Sequence, residues 1–414
     1  MGAPALLGYP YAMLAGATGL LYLAYGRYED PSRHERRGPP AGAHTFPALP
    51  SFPVVSLLTV AGSDDDAAVT AVAALAATDH SPAEIIVVAT GPSADGLDEL
   101  ARTLPITVLR LPGAGPHDAL RHAAEHATGE VLAFVAEGTL AAPDAVRRCL
   151  RALHRHPELG AVTAHLRARN AEVNPLTRAQ DAWLEARCRI NIGAEAAIGA
   201  VVELPAGLAV CRREAVWPCL PAWRPGRSLA ALLVGQPWLG PTPRSPDEPR
   251  DGTSAAGRAW QVGYVSSARA YVPVPTTVGG LLTRSLDGFG NTVRSAAFTG
   301  RFAWRQGPLP ALLHYGRSTT AVTAPVAAGW YLVATPALGW WVGTVLFLGS
   351  ALVSGIAYGL ATGTERPFAA AWAYQPAGRV LGTMMHAALP AYALARAAGA
   401  LVGLARRPPR PAAP

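Results

Sequence analysis

The chain has no lysine: all 35 basic residues among its 414 are arginine. In a sequence this rich in Ala, Gly and Pro, that points to GC-rich coding, and it rules out any argument from arginine chosen over lysine. Charged residues of either sign are scarce, at 15% against 50% hydrophobic. That balance departs from an ordinary soluble domain and directs attention to membrane spans. The formal net charge is +7, but no basic tract is interleaved with aromatics, so nucleic acid is not an expected partner. Many arginines instead flank hydrophobic runs, as in positive-inside anchoring. Cysteine is also sparse, with only Cys149, Cys188, Cys211 and Cys219. None forms a C-x-x-C pair, and no His/Cys cluster has zinc spacing. Buried, inert thiols are expected.

Long apolar runs stand at both ends. Residues 4–25, "PALLGYPYAMLAGATGLLYLAY", approach the length of a bilayer span. No basic region precedes them, and Arg27, Arg33, Arg36 and Arg37 follow. These flanks favour a retained anchor over a signal peptide and point the Arg end to the cytoplasm. Residues 1–37 are thus read as an anchor, and 38–53 as a Pro/Gly-rich linker.

Residues 54–290 alternate strand and helix signals: "VVSLLTVA", "EIIVVAT", "ITVLRL" and "EVLAFVA" as strands, with "DAAVTAVAALAAT", "ADGLDELARTL" and "PHDALRHAAEHAT" as helices between them. This βαβα rhythm predicts an α/β domain with a mostly parallel sheet covered on both faces. Ligands of such sheets bind beyond the strand C-terminal ends, here Ala61, Ala89, Leu111 and Ala136. Residues 291–317 mix Arg with Phe, Trp and Leu, as in helices lying on a membrane surface; an ordinary surface segment is the alternative. Residues 318–414 hold two apolar runs near span length and a weaker third. One span before the domain and three after it would leave the terminal "ARRPPR" outside, against the positive-inside trend.

Several stretches carry a resemblance. "FPVVSLLTVAGSDDD", "AEIIVVATGPSADG", "GPHDALRHAAEHATGEVLAF", "AVCRREAV" and "WQVGYVSSARAYVPVPTTVGGLLTR" together resemble the processive family 2 glycosyltransferases, the hyaluronan, chitin and cellulose synthases, over roughly residues 50–300. The resemblance implies a GT-A (Rossmann-like) cytoplasmic domain flanked by transmembrane and interfacial helices, and a multi-pass protein of the cell membrane. It also implies a carboxylate pair on the uridine base, a metal-binding D-x-D turn, an acidic base for the acceptor hydroxyl, and a Q-x-x-R-W motif on the diphosphate.

The matching positions are eroded. The base-gripping acids read Ala89 and Thr90, with Asp95 nearby. The D-x-D turn reads Ala136-Glu137-Gly138, leaving one carboxylate. Side chains alternate in an extended turn, so Glu137 is expected to face away from a ligand, as a solvated or helix-capping carboxylate rather than a metal ligand. Mg or Mn is expected only if Glu137 coordinates. In the G-K-x-x-x-L-N stretch the Lys and Asn positions hold Pro116 and Arg121. Asp247 and Glu248 fall, in reversed order, at the family's acidic pair; a charged surface loop, "RSPDEPRDGTS", is the alternative. The last motif reads Arg284, Asp287 and Gly288. The resulting expectation is a decayed sugar-transfer centre in a cell-envelope glycan system, partnered by membrane lipid, a UDP-sugar, and an intact synthase or another envelope-glycan protein. Its rivals are a working metal-independent transferase using Arg121, Glu248 and Arg284, and a membrane scaffold that reuses the fold. Ala61, Thr90, Asp95, Arg121 and Arg284 are the candidate contacts for a nucleotide sugar.

Overall fold

The structure is a computed structural model that describes residues 3–26, 53–62, 64–80, 83–91, 95–205, 207–238, 258–301, 303–362 and 371–405. A first helix, α1, spans Ala3–Gly26. The α/β layer then begins with β1 (Val55–Ala61), in which every residue is buried, as expected for a strand covered on both faces. Helix α2 (Asp65–Ala76) starts where the Asp64 side chain accepts a hydrogen bond from the Ala67 amide. The expected alternation continues through β2 (Ala83–Ala89), α3 (Asp95–Thr103), β3 (Ile106–Arg110), α4 (Pro116–His126) and β4 (Val131–Val135). Beyond it lie β5 (Leu140–Ala141), α5 (Ala145–Arg155), β6 (Leu159–Ala168) and α6 (Pro175–Ala186). The last of these runs through a π-helical turn, Arg187–Ile192, into α7 (Gly193–Ala197). Strand β7 (Leu208–Arg212), the short β8 (Pro237–Trp238) and β9 (Arg258–Ala259), and β10 (Gln261–Val272) complete the strands.

Eight strands form one sheet in the order β3-β2-β1-β4-β7-β6-β10-β5. The pairs β2/β3, β1/β2, β1/β4 and β6/β10 are parallel. Strand β7 runs antiparallel between β4 and β6, and β5 antiparallel on β10. The order reverses at β1, which lies between β2 and β4; this is the crevice where such sheets take ligands. At the opposite, N-terminal ends of β1 and β2, Glu84 accepts from Ser56 Oγ at 2.6 Å and from the Thr128 amide at 3.0 Å. Burial pushes the Glu84 carboxyl up, but the Ser56 and Thr128 donors outweigh it and hold the group below its ordinary value. All four cysteines are buried and free.

Four long helices complete the chain: α8 (Val278–Thr299), α9 (Pro308–Gly329), α10 (Trp341–Thr362) and α11 (Ala371–Ala405). Helix α8 begins upstream of residue 291, and α9 crosses residues 317 and 318 without a break. A second core of Tyr22, Ala186, Ile190, Ala194, Leu313 and Tyr358 joins α1, α9 and α10 to the α6–α7 segment. Among the described residues, one helical stretch, Trp341–Ala361, is long and apolar enough to cross a bilayer; the apolar part of α1, Met13–Tyr25, is shorter. The 21 residues of Trp341–Ala361 span about 31 Å, the thickness of a hydrocarbon core. Most of its large side chains face outward, with Val342 72% and Leu346 68% exposed, while Tyr358 turns into the second core. The third apolar run, residues 382–404, lies inside α11.

Candidate functional site

The mouth of the β1–β4 crevice is built by backbone pairing. The Thr90 amide donates to the Ala61 carbonyl at 2.8 Å, and its hydroxyl reaches the same oxygen at 3.2 Å. The Gly113 amide closes on the Thr90 carbonyl at 3.1 Å. Ala61 and Thr90 are therefore brought together at this mouth. Asp95 opens α3, where a carboxylate suits the positive end of the helix.

The turn after β4 departs from the expected geometry. The Ala136 amide donates to Gly207 at 2.8 Å, and the Thr139 amide folds back to the Ala136 carbonyl at 3.1 Å. Gly138 takes a φ of 67°, open to glycine but not to most residues. The segment is a tight turn rather than an extended one, so the alternation of side chains fails. The Glu137 carboxylate turns onto Gly62, just past the end of β1, where any Cβ would collide with it. Glu137 thus lies at the crevice rather than facing away. Its neighbours Ala136 and Gly138 offer no side-chain ligand, and no group of three His, Cys, Asp or Glu residues suited to a metal occurs among the described residues.

Two arginines reach the backbone at or beside this turn. Arg169, one residue beyond β6, donates from Nη1 to the Gly138 carbonyl at 3.3 Å. Arg284, on α8, donates from Nη1 to the Pro273 carbonyl at 2.7 Å. Pro273 packs against Gly138: its Cγ would lie 3.3 Å from a Cβ there. The segment after β10 is held by side chains of residues 170–180. Asn170 exchanges two hydrogen bonds with Val274, at 2.8 and 3.0 Å, and Gln180 donates to the Pro275 carbonyl at 2.8 Å. The strand end bearing Arg169 is clamped by a two-pronged Arg167–Asp181 pair at 2.9 and 2.6 Å, with the Ala168 amide on Asp181 at 2.8 Å.

Arg121 is placed differently. It pairs with Asp118 and Glu125 on its own helix, and no hydrogen bond or ion pair joins it to Ala61, Thr90 or Glu137. Asp287 faces Arg396 of α11 at 3.5 Å. Asp247 and Glu248 lie outside the described residues. Arg169 escaped the sequence reading. Its one signal is an arginine directly after the strand "LGAVTAHLRA", and its importance depends on contact with a turn 31 residues away.

Comparison with known proteins bears on this arrangement. Residues 66–219 match the family model for glycosyl transferase family 2. The chain carries a glycosyltransferase family 2 domain. Comparison with curated proteins gives no match. Among solved structures, mannosyltransferase PcManGT from Pyrobaculum calidifontis, in complex with GDP-Man and Mn2+, aligns at 18% identity, covering 91% of this chain and 99% of that one, with a TM-score of 0.54. TarS residues 1–349 from S. aureus align at 12% identity over 82% of this chain and 91% of that one, TM-score 0.41. Glucosyl-3-phosphoglycerate synthase from Mycobacterium tuberculosis, in complex with Mn2+, UDP and glucosyl-3-phosphoglycerate, aligns at 15% over 60% and 80%, TM-score 0.37. The mannosyltransferase likeness is one of fold, and it makes the α/β layer GT-A-like.

Across β6 and β10, the α/β layer holds a buried polar cluster. His165 on β6 meets Glu185 on α6 at 2.5 Å and Tyr264 on β10 at 2.6 Å. Arg189 donates to the other Glu185 oxygen, and Arg167 lies 3.8 Å away. Burial alone would raise the Glu185 carboxyl; His165, Arg189 and Arg167 prevail and bring it down to about 2. Beside this cluster β10 slips three residues, Ser266–Ala268, out of register with β6. A second network fastens the family 2 domain to the long helices. Glu195 of α7 accepts from Tyr22 of α1 and from Arg317 of α9, both at 2.8 Å, and Arg317 also reaches Glu203 at 2.7 Å. Tyr358 of α10 donates to Asn191 at 3.0 Å, and Gln375 of α11 to the Ala182 carbonyl.

Proposed function

We infer that this protein is a membrane-embedded relative of the processive family 2 glycosyltransferases, and that it serves a cell-envelope or extracellular glycan pathway as a partner without sugar-transfer activity of its own. One observation carries this reading: the turn at the β1–β4 crevice holds Glu137 alone, between Ala136 and Gly138. Mg and Mn take about six hard oxygen ligands, and catalytic sites share them among several carboxylates and phosphates. A single carboxylate fixes neither the ion nor the leaving group. The outward apolar face of α10 supports a bilayer location, and the Arg residues after α1 support a cytoplasmic family 2 domain. The ligand class is a nucleoside diphosphate sugar, with membrane lipid and an intact synthase as partners.

A second reading, an active divergent transferase, is favoured by the turn of Glu137 toward Gly62. In it Glu137 would contribute one metal ligand and Glu248 a base. The test is turnover by purified protein in detergent with UDP-sugars, with and without Mn. The partner reading expects no transfer, and nucleotide affinity that Mn barely changes. Transfer that disappears in Glu248→Gln would establish the second reading instead.

A further inference from the structure

We propose that α11 does not cross the bilayer but lies along it, with an apolar stripe set in the headgroup–acyl boundary of phospholipid on the side of the α/β layer. The inference rests on the bilayer location given above and sets the course of the chain within it. A crossing helix carries its two ends to opposite faces. Gln375 and Arg396 are 21 residues apart, which is about 31 Å of helix and the thickness of a hydrocarbon core. Both are tied to the same side of the protein. Near the start of α11, Gln375 donates to the Ala182 carbonyl of α6, and a Cβ at Gly378 would lie 3.2 Å from the Ala179 carbonyl oxygen. Near its end, Tyr392 meets Thr283 of α8 at 2.8 Å, and Arg396 meets Asp287 of α8 at 3.5 Å. Asp287 lies about one turn past Arg284, which donates to the Pro273 carbonyl directly after β10. Residues 375–396 therefore run along the α/β layer and α8 rather than away from them.

Helices α9 and α10 behave differently, because they leave and return as a pair. Arg317 is held by Glu195 and Glu203, and Tyr358 by Asn191. The 40 residues between Arg317 and Tyr358 carry no charge. This hairpin supplies an outward and a returning pass, and α11 adds none. That course also removes the conflict over charge: the arginines of "ARRPPR" then fall on the same side as Arg27. The free face of α11 suits lipid. Met384, Ala388, Ala391, Leu394 and Ala395 are exposed and recur on one stripe at helical spacing. The polar groups turn to protein instead: besides the contacts above, the Arg379 guanidinium sits 4.0 Å over the Tyr358 ring. The stripe continues the outward apolar face of α10, which packs on Pro376.

The test uses the full-length protein in sealed vesicles of phosphatidylcholine and phosphatidylglycerol. Cysteine reporters are placed at Arg151→Cys on α5, Ala377→Cys and Ala397→Cys, all exposed sites, so the variants should keep the wild-type melting temperature. The native thiols are buried and stay silent. A membrane-impermeant maleimide should label all three reporters from the same side. Labelling of Ala397→Cys from the side opposite Arg151→Cys would overturn the proposal. Spin labels at Met384→Cys, Ala388→Cys, Ala391→Cys and Ala395→Cys should report one common depth, about 5–10 Å into the boundary. A depth gradient of about 16 Å from 384 to 395, the rise of a crossing helix, would overturn it. So would contact with water alone, or dipolar broadening that reveals a second copy on the stripe. Release of the protein by a carbonate wash removes the bilayer location and this inference with it, whereas opposite-side labelling overturns the inference alone.

Discussion

Replacing Glu185 by Gln tests how the buried cluster at β6 and β10 is held. Glu185 is 0% exposed and His165 2% exposed. The carboxylate faces His165 at 2.5 Å, Arg189 through its other oxygen, and Arg167 at 3.8 Å. Glutamine keeps the shape and one acceptor but removes the charge that balances Arg189. Breaking a buried pair from one side costs about 3–5 kcal/mol, because the remaining charge stays desolvated. Arg167 retains Asp181, so the lower end, about 3 kcal/mol, is expected at pH 7. The pH dependence follows from the depressed carboxyl. Its folded value of about 2 lies below its ordinary 4.5, so its stabilisation is complete above that ordinary value and is lost as pH falls toward 2. The gap between wild type and Glu185→Gln should therefore narrow between pH 7 and pH 3. Urea unfolding in detergent, followed by tryptophan fluorescence at both pH values, measures it. A gap that does not change with pH would refute the reasoning. So would a loss below about 1 kcal/mol at pH 7, the scale of an exposed pair.

Two further outcomes follow from burial. The chain should stay with membranes through an alkaline carbonate wash, because α10 turns Val342, Val345 and Leu346 outward; recovery of the intact protein in the soluble fraction would remove the bilayer reading. The thiols should resist a disulfide reagent until the protein unfolds, since burial pushes Cys149 and Cys219 up to about 12 and Cys188 up to about 11; rapid labelling of native protein would contradict this.

The order of strands and helices through β4 was legible because its signals are local: buried apolar runs, an aspartate cap before α2, and a proline opening α4. The mouth of the crevice followed, since strand ends fix it. What escaped the sequence depends on long-range contact. Strand β7, "LAVCR", reads like any short apolar run, and only its neighbours β4 and β6 make it antiparallel. Glu137 was misjudged because the direction of its side chain depends on Gly138 adopting a positive φ. Arg169 was invisible because its partner lies across the turn. The limits of the last helices were obscured as well. Pro376 and Pro390 both lie inside α11, although proline in a helix interior removes a backbone hydrogen bond. Close packing is visible at one of them: a Cβ at Gly355 of α10 would run into the Pro376 backbone.

The three-way junction at Glu195 sets an order of events during synthesis. Tyr22 lies 173 residues before Glu195, and Arg317 lies 122 residues after it. Chains leave the ribosome from the N-terminus, so the helix that bears the tyrosine appears first, the acid next and the guanidinium last. Until Arg317 emerges, sealing Glu195 would bury a carboxylate without its counter-charge. The α/β layer can assemble from its own contacts in the meantime, but α1 cannot settle against α7 at low cost. Docking of the first helix made is thus deferred until just over three quarters of the chain exists, and a chain halted before residue 317 should display an unseated N-terminal helix beside a folded α/β layer.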